Sequence, residues 1–178
     1  MKQLIYILTG VLLLSACSRS SFEAEKSTID SLLLAYQKLE VQVENMPTKE
    51  AKEHLTTYKT SIELIKKNTN QNKIPSIESS KYINAFRSVK KTFKKLPKKQ
   101  EALEQSIASN SAQLKNLQKD ISNSLFSSDK LKDILSKENT LLTDVSNSYL
   151  HLITQTKEEK EKLDSLVQLL PTEIEKLK

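Results

Sequence analysis

Residues 129–170, DKLKDILSKENTLLTDVSNSYLHLITQTKEEKEKLDSLVQLL, carry the longest hydrophobic period in the chain. Nine of the twelve residues that recur there at alternating spacings of three and four are apolar: Leu131, Leu135, Glu138, Leu142, Val145, Tyr149, Leu152, Thr156, Glu159, Leu163, Leu166 and Leu170. This period predicts an amphipathic α-helix about 63 Å long. Further apolar residues widen the stripe, which predicts packing against more than one neighbouring helix.

Two earlier segments, residues 27–67 and 77–126, show the same period. In the first, the apolar stripe shifts by one residue after Pro47, which predicts a break or a sharp kink there. In the second, the stripe keeps its phase across Pro97, which predicts a tolerated kink or a very tight break. Ser27 is the expected cap of the first helix, and Pro171 is expected to end the last one.

The three segments are joined by short connections, and the clearest loop is predicted at residues 68–75. Short connections make sequential helices antiparallel neighbours. We therefore predict an all-α fold, an elongated and coiled-coil-like antiparallel bundle of about three long helices with proline kinks. A compact five-helix bundle is the alternative if Pro47 and Pro97 both end their helices.

The first 17 residues form a separate unit with the features of an export signal. Lys2 gives a positive start, residues 4–14 are mostly apolar, and two small residues precede Cys17. The apolar run is shorter than the about 20 residues that a membrane-spanning helix needs. The stretch Leu14-Ser15-Ala16-Cys17 resembles the lipobox of bacterial lipoprotein precursors.

The resemblance implies that the Cys17 thiol receives a diacylglycerol and that the chain is cleaved before Cys17. It divides the chain into a removed signal peptide (1–16), a lipidated N-terminus with its tether (17–26) and a helical bundle domain (27–178). Two or three acyl chains hold a protein stably on a membrane. The alternatives are a secretory signal with an incidental cysteine and a membrane-inserted helix.

The implied location is the cell envelope, with a lipid anchor in a membrane. The membrane is the outer membrane in a Gram-negative cell, or the outer face of the cell membrane in a Gram-positive one. Cys17 is the only cysteine, so no disulfide can form within the chain.

The segment from Glu63 to Lys99 is strongly basic, with eleven Lys or Arg and two Glu. Six of its lysines flank the apolar stripe of one predicted helix: Lys90, Lys91, Lys94, Lys95, Lys98 and Lys99. They are the candidate site for an anionic cell-wall polymer or anionic lipid headgroups. The alternative is a helix face that is merely solvated. Nucleic acid is not an expected partner of an exported lipoprotein.

The sequence offers no constellation typical of catalysis or metal binding. His54 follows Glu50 by four residues, but a metal site needs three or four converging ligands. A single glycine speaks against a Gly-rich phosphate loop. We therefore expect no enzyme, no catalytic residue, no cofactor and no metal. Asn110 occupies a core position, where it either fixes the helix register or faces solvent at the bundle edge.

In its overall features the chain is similar to small helical envelope lipoproteins, some of which are described as cell-wall binding. Two functions are expected from the exposed helical ridges and the lysine-rich helix. The first is a membrane-anchored structural or protein-interaction module with an envelope protein as partner. The alternative is a module that binds an anionic polymer or headgroups through the lysine-rich helix. In both, the lipid on Cys17 is the contact with the membrane, and the oligomeric state is left open.

Overall fold

The computed structural model describes residues 22–68, 77–123 and 126–177, and nearly all of them are helical. They form α1 (Glu23–Glu44), α2 (Thr48–Asn68), α3 (Ile77–Ser122) and α4 (Ser128–Leu177). Within these three ranges there is no β-strand, so the predicted all-α fold is confirmed. The predicted signal peptide, Cys17 and the predicted loop beyond Asn68 lie outside the described residues.

The direction of α1 relative to α3 follows from two hydrogen bonds between them. Gln118 donates to Asp30 and Asn110 donates to Tyr36, so residue numbers rise on α1 as they fall on α3. The two helices are therefore antiparallel, and α1 lies beside the C-terminal half of α3.

The pair α3 and α4 is antiparallel as well. Tyr82, near the start of α3, donates to the backbone carbonyl of Leu166, whereas Gln113 further along α3 donates to Glu138 of α4. The first arm of the bundle, which is the part of the chain made of α1 and α2, is divided into two helices. α1 and α2 each pack on α3 and α4 and not on one another. The result is an elongated antiparallel bundle whose three long members are the α1–α2 pair, α3 and α4, as predicted.

The core follows the apolar stripes of the sequence. Each described residue at the alternating spacings of three and four is buried or half-buried, whereas Leu141, which widens the last stripe, is exposed. The largest fully buried side chains are Tyr36, Phe86, Phe93, Ile29, Leu96, Ile107, Leu114, Leu131 and Leu163. The period of the sequence therefore identified the faces that the helices bury.

The prolines have different effects. At Pro47 the chain leaves the helical conformation between α1 and α2, and the Pro47 carbonyl accepts a hydrogen bond from the Ala51 amide at 3.1 Å. The break predicted there is confirmed. Pro97 lies inside α3, which continues through it. The five-helix alternative, which required Pro97 to end a helix, is wrong.

The prediction that Pro171 ends the last helix is wrong, because α4 continues to Leu177. A proline deprives one carbonyl of its helical donor. The core compensates on both sides of it, since Leu170 is buried and Ile174 packs partly buried against the same cluster. Burial of the following turn therefore outweighs the local cost of the proline.

The first helix begins earlier than the sequence suggested. It starts at Glu23 instead of Ser27, so residues 23–26 of the predicted tether are helical. Phe22 packs against the core, and its carbonyl accepts a hydrogen bond from the Lys26 amide at 2.8 Å. Ser27 lies within the helix, where its carbonyl accepts from the Ser31 hydroxyl. An apolar contact therefore fixes the start of α1, and a serine cap does not.

Candidate functional site

The six candidate lysines form one continuous surface on α3, which we call the basic face: Lys90, Lys91, Lys94, Lys95, Lys98 and Lys99. All six side chains are exposed. At about 100° per residue they cover half of the helix circumference. Phe93 and Leu96, which are buried, lie on the other half. The sequence thus placed these lysines correctly, on the side of α3 that points away from the core.

The basic charge extends beyond the six lysines toward the start of α3. Lys81 and Arg87 are exposed, and the Arg87 guanidinium donates to the Asn84 side chain at 3.0 Å. Residues 81–100 contain eight Lys or Arg and no Asp or Glu. Lys81 and Lys99 are about 27 Å apart along the helix. The charge is therefore spread along the outer side of α3.

Two lysines of the basic face touch neighbouring helices. The Lys90 ammonium lies 5.4 Å from the ring centroid of Tyr58 on α2. The Lys99 ammonium donates to the Gln155 side chain of α4 at 3.3 Å. Within the described ranges, the ion pairs all lie elsewhere and none involves a lysine of the basic face. These charges therefore remain available to an external anion.

The charges are divided unequally among the helices. α3 carries ten basic and four acidic residues, a formal charge of +6, and α2 carries five and three, a charge of +2. α1 carries two basic and five acidic residues, and α4 carries seven and ten, so each has a charge of −3. The bundle is therefore basic along α3 and acidic along α1 and α4.

The two histidines lie apart from one another. The half-buried ring of His54 lies 4.7 Å from the ring of Phe93, between α2 and α3. His151 is exposed on α4 beside Lys99. Among the residues that the structure describes, no three His, Cys, Asp or Glu side chains converge as metal ligands do. His54 therefore lies at the boundary of the core, against an aromatic ring.

A polar layer crosses the bundle core, and the sequence indicated only part of it. Glu138 is 1% exposed, one of its carboxyl oxygens accepts a hydrogen bond from Gln113, and the other has no hydrogen-bond partner. Nearby, Asn110 donates to the buried Tyr36 hydroxyl at 3.0 Å. The sequence placed Glu138 in the apolar stripe without a partner. No local sequence signal could have revealed this partner, because the alignment of Gln113 with Glu138 depends on the register of α3 and α4.

The residues of this polar layer affect the pKa of Tyr36. Burial raises the pKa of the Tyr36 phenol, the hydrogen bond from Asn110 opposes the rise, and the charge of Glu138 adds to it. The neutral phenol is therefore the form that the core favours.

A solvent-open groove of about 640 Å³ runs between α1 and α3. Its walls include Leu33 and Leu34 from α1 and the small residues Ala108 and Ala112 from α3. Leu34 is 52% exposed, and Val41, seven residues later on α1, is 54% exposed. Residues spaced by seven lie on the same side of a helix, so Val41 lies on the side of α1 from which Leu34 lines the groove, and we call these two side chains the apolar edge.

Comparison with known proteins gave no match to a family model, to a curated protein or to a solved structure. None of the helices in the described ranges has the length and apolar character needed to cross a membrane.

Proposed function

We propose that this chain is a lipid-anchored lipoprotein of a bacterial envelope and that its helical rod is a structural or protein-interaction module. The anchor is supported by the lipobox-like stretch Leu14-Ser15-Ala16-Cys17. Phe22, which joins the core, follows Cys17 by only five residues, so the bundle begins close to the anchor. The rod is long, because the 50 residues of α4 extend over about 75 Å.

The observation that carries the interaction role is the apolar edge of α1. Leu34 and Val41 are each more than half exposed, although isolated surface leucines alone carry no such meaning. Leu34 lines the groove, in which the small side chains of Ala108 and Ala112 leave room for side chains from outside. Such a surface suits a partner helix that lays its apolar face into a groove.

The anchor is tested by replacing Cys17 with alanine. The variant should lose incorporated fatty-acid label and leave the membrane fraction, because no other thiol can take its place. The matched control is Ser18→Ala, which should still incorporate the fatty-acid label and stay in the membrane fraction. Full retention of Cys17→Ala in the membrane fraction would contradict the anchor.

The interaction role is tested by placing a photo-crosslinking residue at Val41 in intact cells. The matched control position is Gln42, which is also exposed but lies on another side of α1. We expect a discrete cross-linked protein from Val41, its loss with Leu34→Asp, and none from Gln42. Equal products from both positions, or none from Val41, would contradict a protein partner on this surface.

A second candidate function is the binding of an anionic cell-wall polymer or anionic headgroups. It is favoured by one observation: all six lysines of the basic face are exposed, and none forms an ion pair with the described residues. Reversing Lys90, Lys91, Lys94 and Lys95 to Glu should abolish salt-sensitive binding to isolated envelope material. The control reverses four exposed lysines of other helices: Lys52, Lys59, Lys132 and Lys157. Unchanged binding by the first variant would contradict this candidate.

A further inference from the structure

The position of the basic face along the rod is fixed by the register of α1 on α3. Gln118 donates to Asp30 at 2.8 Å, so the start of α1 and the end of α3 lie at the same end of the bundle. Measured from Gln118 along α3, Lys99 is about 28 Å away and Lys81 about 56 Å away. The basic charge therefore occupies the half of the rod far from the N-terminus.

The N-terminus is the end that a lipid on Cys17 would hold. Five residues, 18 to 22, separate Cys17 from the start of α1. Five extended residues span at most about 18 Å. An anchor on Cys17 would therefore hold the near end of the rod close to a membrane and leave the far half to be positioned by other forces.

The division of charge favours one side of the rod for contact with an anionic surface. α3 has a formal charge of +6, whereas α1 and α4 have −3 each. If α3 lies against the surface, the other helices lie behind it, and the acidic helices α1 and α4 are kept away. Any rotation away from this orientation brings α1 or α4 closer to the anions.

The form of the basic face suits a broad array of headgroups. Its lysines project from the outer half of a single helix, so they form a convex ridge. Lysine ammonium groups on flexible stems act as point charges, and each adds to the attraction by an anionic leaflet. With one end already anchored, contact of the far half becomes an intramolecular step with a high effective concentration.

We infer that the basic face binds the anionic lipid headgroups of the membrane that carries the chain and so holds the rod along that membrane with α3 toward the surface. The inference rests on the proposed lipid anchor. It adds to that proposal a second contact, an orientation and a partner chemistry, the phosphate of lipid headgroups.

The test measures the height of the far end of the rod above a vesicle. Thr172 is exposed and lies on α4 beyond Leu166, which contacts the start of α3, so it marks the far end. The lipidated chain with Thr172→Cys carries a donor fluorophore there, and the vesicle surface carries acceptor lipids. Vesicles of phosphatidylcholine alone are compared with vesicles that also contain phosphatidylglycerol.

On phosphatidylglycerol vesicles we expect strong energy transfer, at least twofold above that on neutral vesicles and lost at high salt. The variant with Lys90, Lys91, Lys94 and Lys95 reversed to Glu should give the low transfer of neutral vesicles. The matched variant with Lys52, Lys59, Lys132 and Lys157 reversed should keep at least half of the wild-type gain. Helical circular dichroism checks that both variants are folded.

Weak transfer by the wild type on phosphatidylglycerol vesicles, or equal transfer by the Lys90 to Lys95 variant, would overturn the inference. So would lysine-dependent binding to soluble poly(glycerol phosphate) without any approach to the vesicles, because that result assigns the basic face to a polymer. Release of the chain from neutral vesicles is a separate outcome. It overturns the anchor. In that case, co-sedimentation with anionic vesicles that depends on Lys90 to Lys95 still shows whether the basic face binds lipid headgroups.

Discussion

The side-chain amide of Asn110 on α3 donates a hydrogen bond to the hydroxyl of Tyr36 on α1 over 3.0 Å. Tyr36 is fully buried, so the bond joins two helices inside the core. Sliding either helix by one turn would separate the two groups. Polar residues at core positions often fix helix register in this way, at a cost in stability.

Removing either partner of this bond should destabilise the bundle. Asn110→Ala and Tyr36→Phe should each lower the free energy of unfolding by about 1 kcal/mol, the net value of a typical hydrogen bond. Because the two side chains bond to one another, the double variant should lose less than the sum of the single losses. Urea unfolding of all four proteins measures this coupling. Strictly additive losses would contradict a direct bond.

Replacing Glu138 with leucine should stabilise the fold. The carboxyl group is buried and one of its oxygens has no hydrogen-bond partner, which costs about 1–3 kcal/mol. Gln113 would lose its acceptor, but its side chain is exposed and water can replace the lost bond. We expect a higher urea midpoint for Glu138→Leu. The control is Glu158→Leu on the exposed side of α4, which should leave the urea midpoint without a gain. A lower urea midpoint for Glu138→Leu would contradict the prediction.

Alkaline pH should unfold the bundle partly through Tyr82. Burial, with a smaller contribution from the charge of Glu173, raises the pKa of the Tyr82 phenol to about 12 from 10.0. A raised folded-state pKa means that the neutral phenol is favoured in the fold, so its stabilisation is complete below pH 10 and is lost as the pH rises toward 12. Urea unfolding at pH 9 and pH 11.5 measures the effect. Between these two pH values the free energy of unfolding should fall less for Tyr82→Phe than for the wild type. Tyr149→Phe keeps Tyr82, so its free energy of unfolding should fall as much as that of the wild type. If the free energy of unfolding of Tyr82→Phe also falls as much as that of the wild type, the role of Tyr82 is contradicted.

Replacing Pro97 with alanine should stabilise α3. The proline lies inside a continuous helix and is exposed, and it cannot donate to the Phe93 carbonyl. The change should raise the free energy of unfolding by up to about 3 kcal/mol, the difference between proline and alanine in a helix interior. The matched control is Pro47→Ala at the break between α1 and α2, where no helical hydrogen bond is missing and little gain is expected. A lower urea midpoint for Pro97→Ala would show that the kink is needed for packing.

The sequence predicted the helices and their buried faces because these depend on the local period of the chain. The phase of the apolar stripe also distinguished Pro47 from Pro97, since a shifted stripe requires a break and an unshifted one does not. The end of α4 could not be predicted in this way. By its local sequence Pro171 resembles a proline that ends a helix. The helix continues past it because Leu170 is buried and Ile174 packs against the core.

The candidate site was predictable to the same extent. Lysines four residues apart that flank an apolar stripe must face outward once the helix packs, and all six do. Contacts between helices were beyond the sequence, because they depend on the register. The position of Lys90 over the Tyr58 ring and the bond from Gln113 to Glu138 both join residues whose alignment no local pattern determines.

The two short helices that make up the first arm do not touch one another, although both pack on α3 and α4. Each covers its own half of the rod, so either one can detach while the other keeps its contacts. Amide hydrogen exchange should therefore resolve two separately opening units, one containing α1 and one containing α2. A molecule built in this way can loosen the end near its N-terminus without giving up the structure of the end that carries its positive charge.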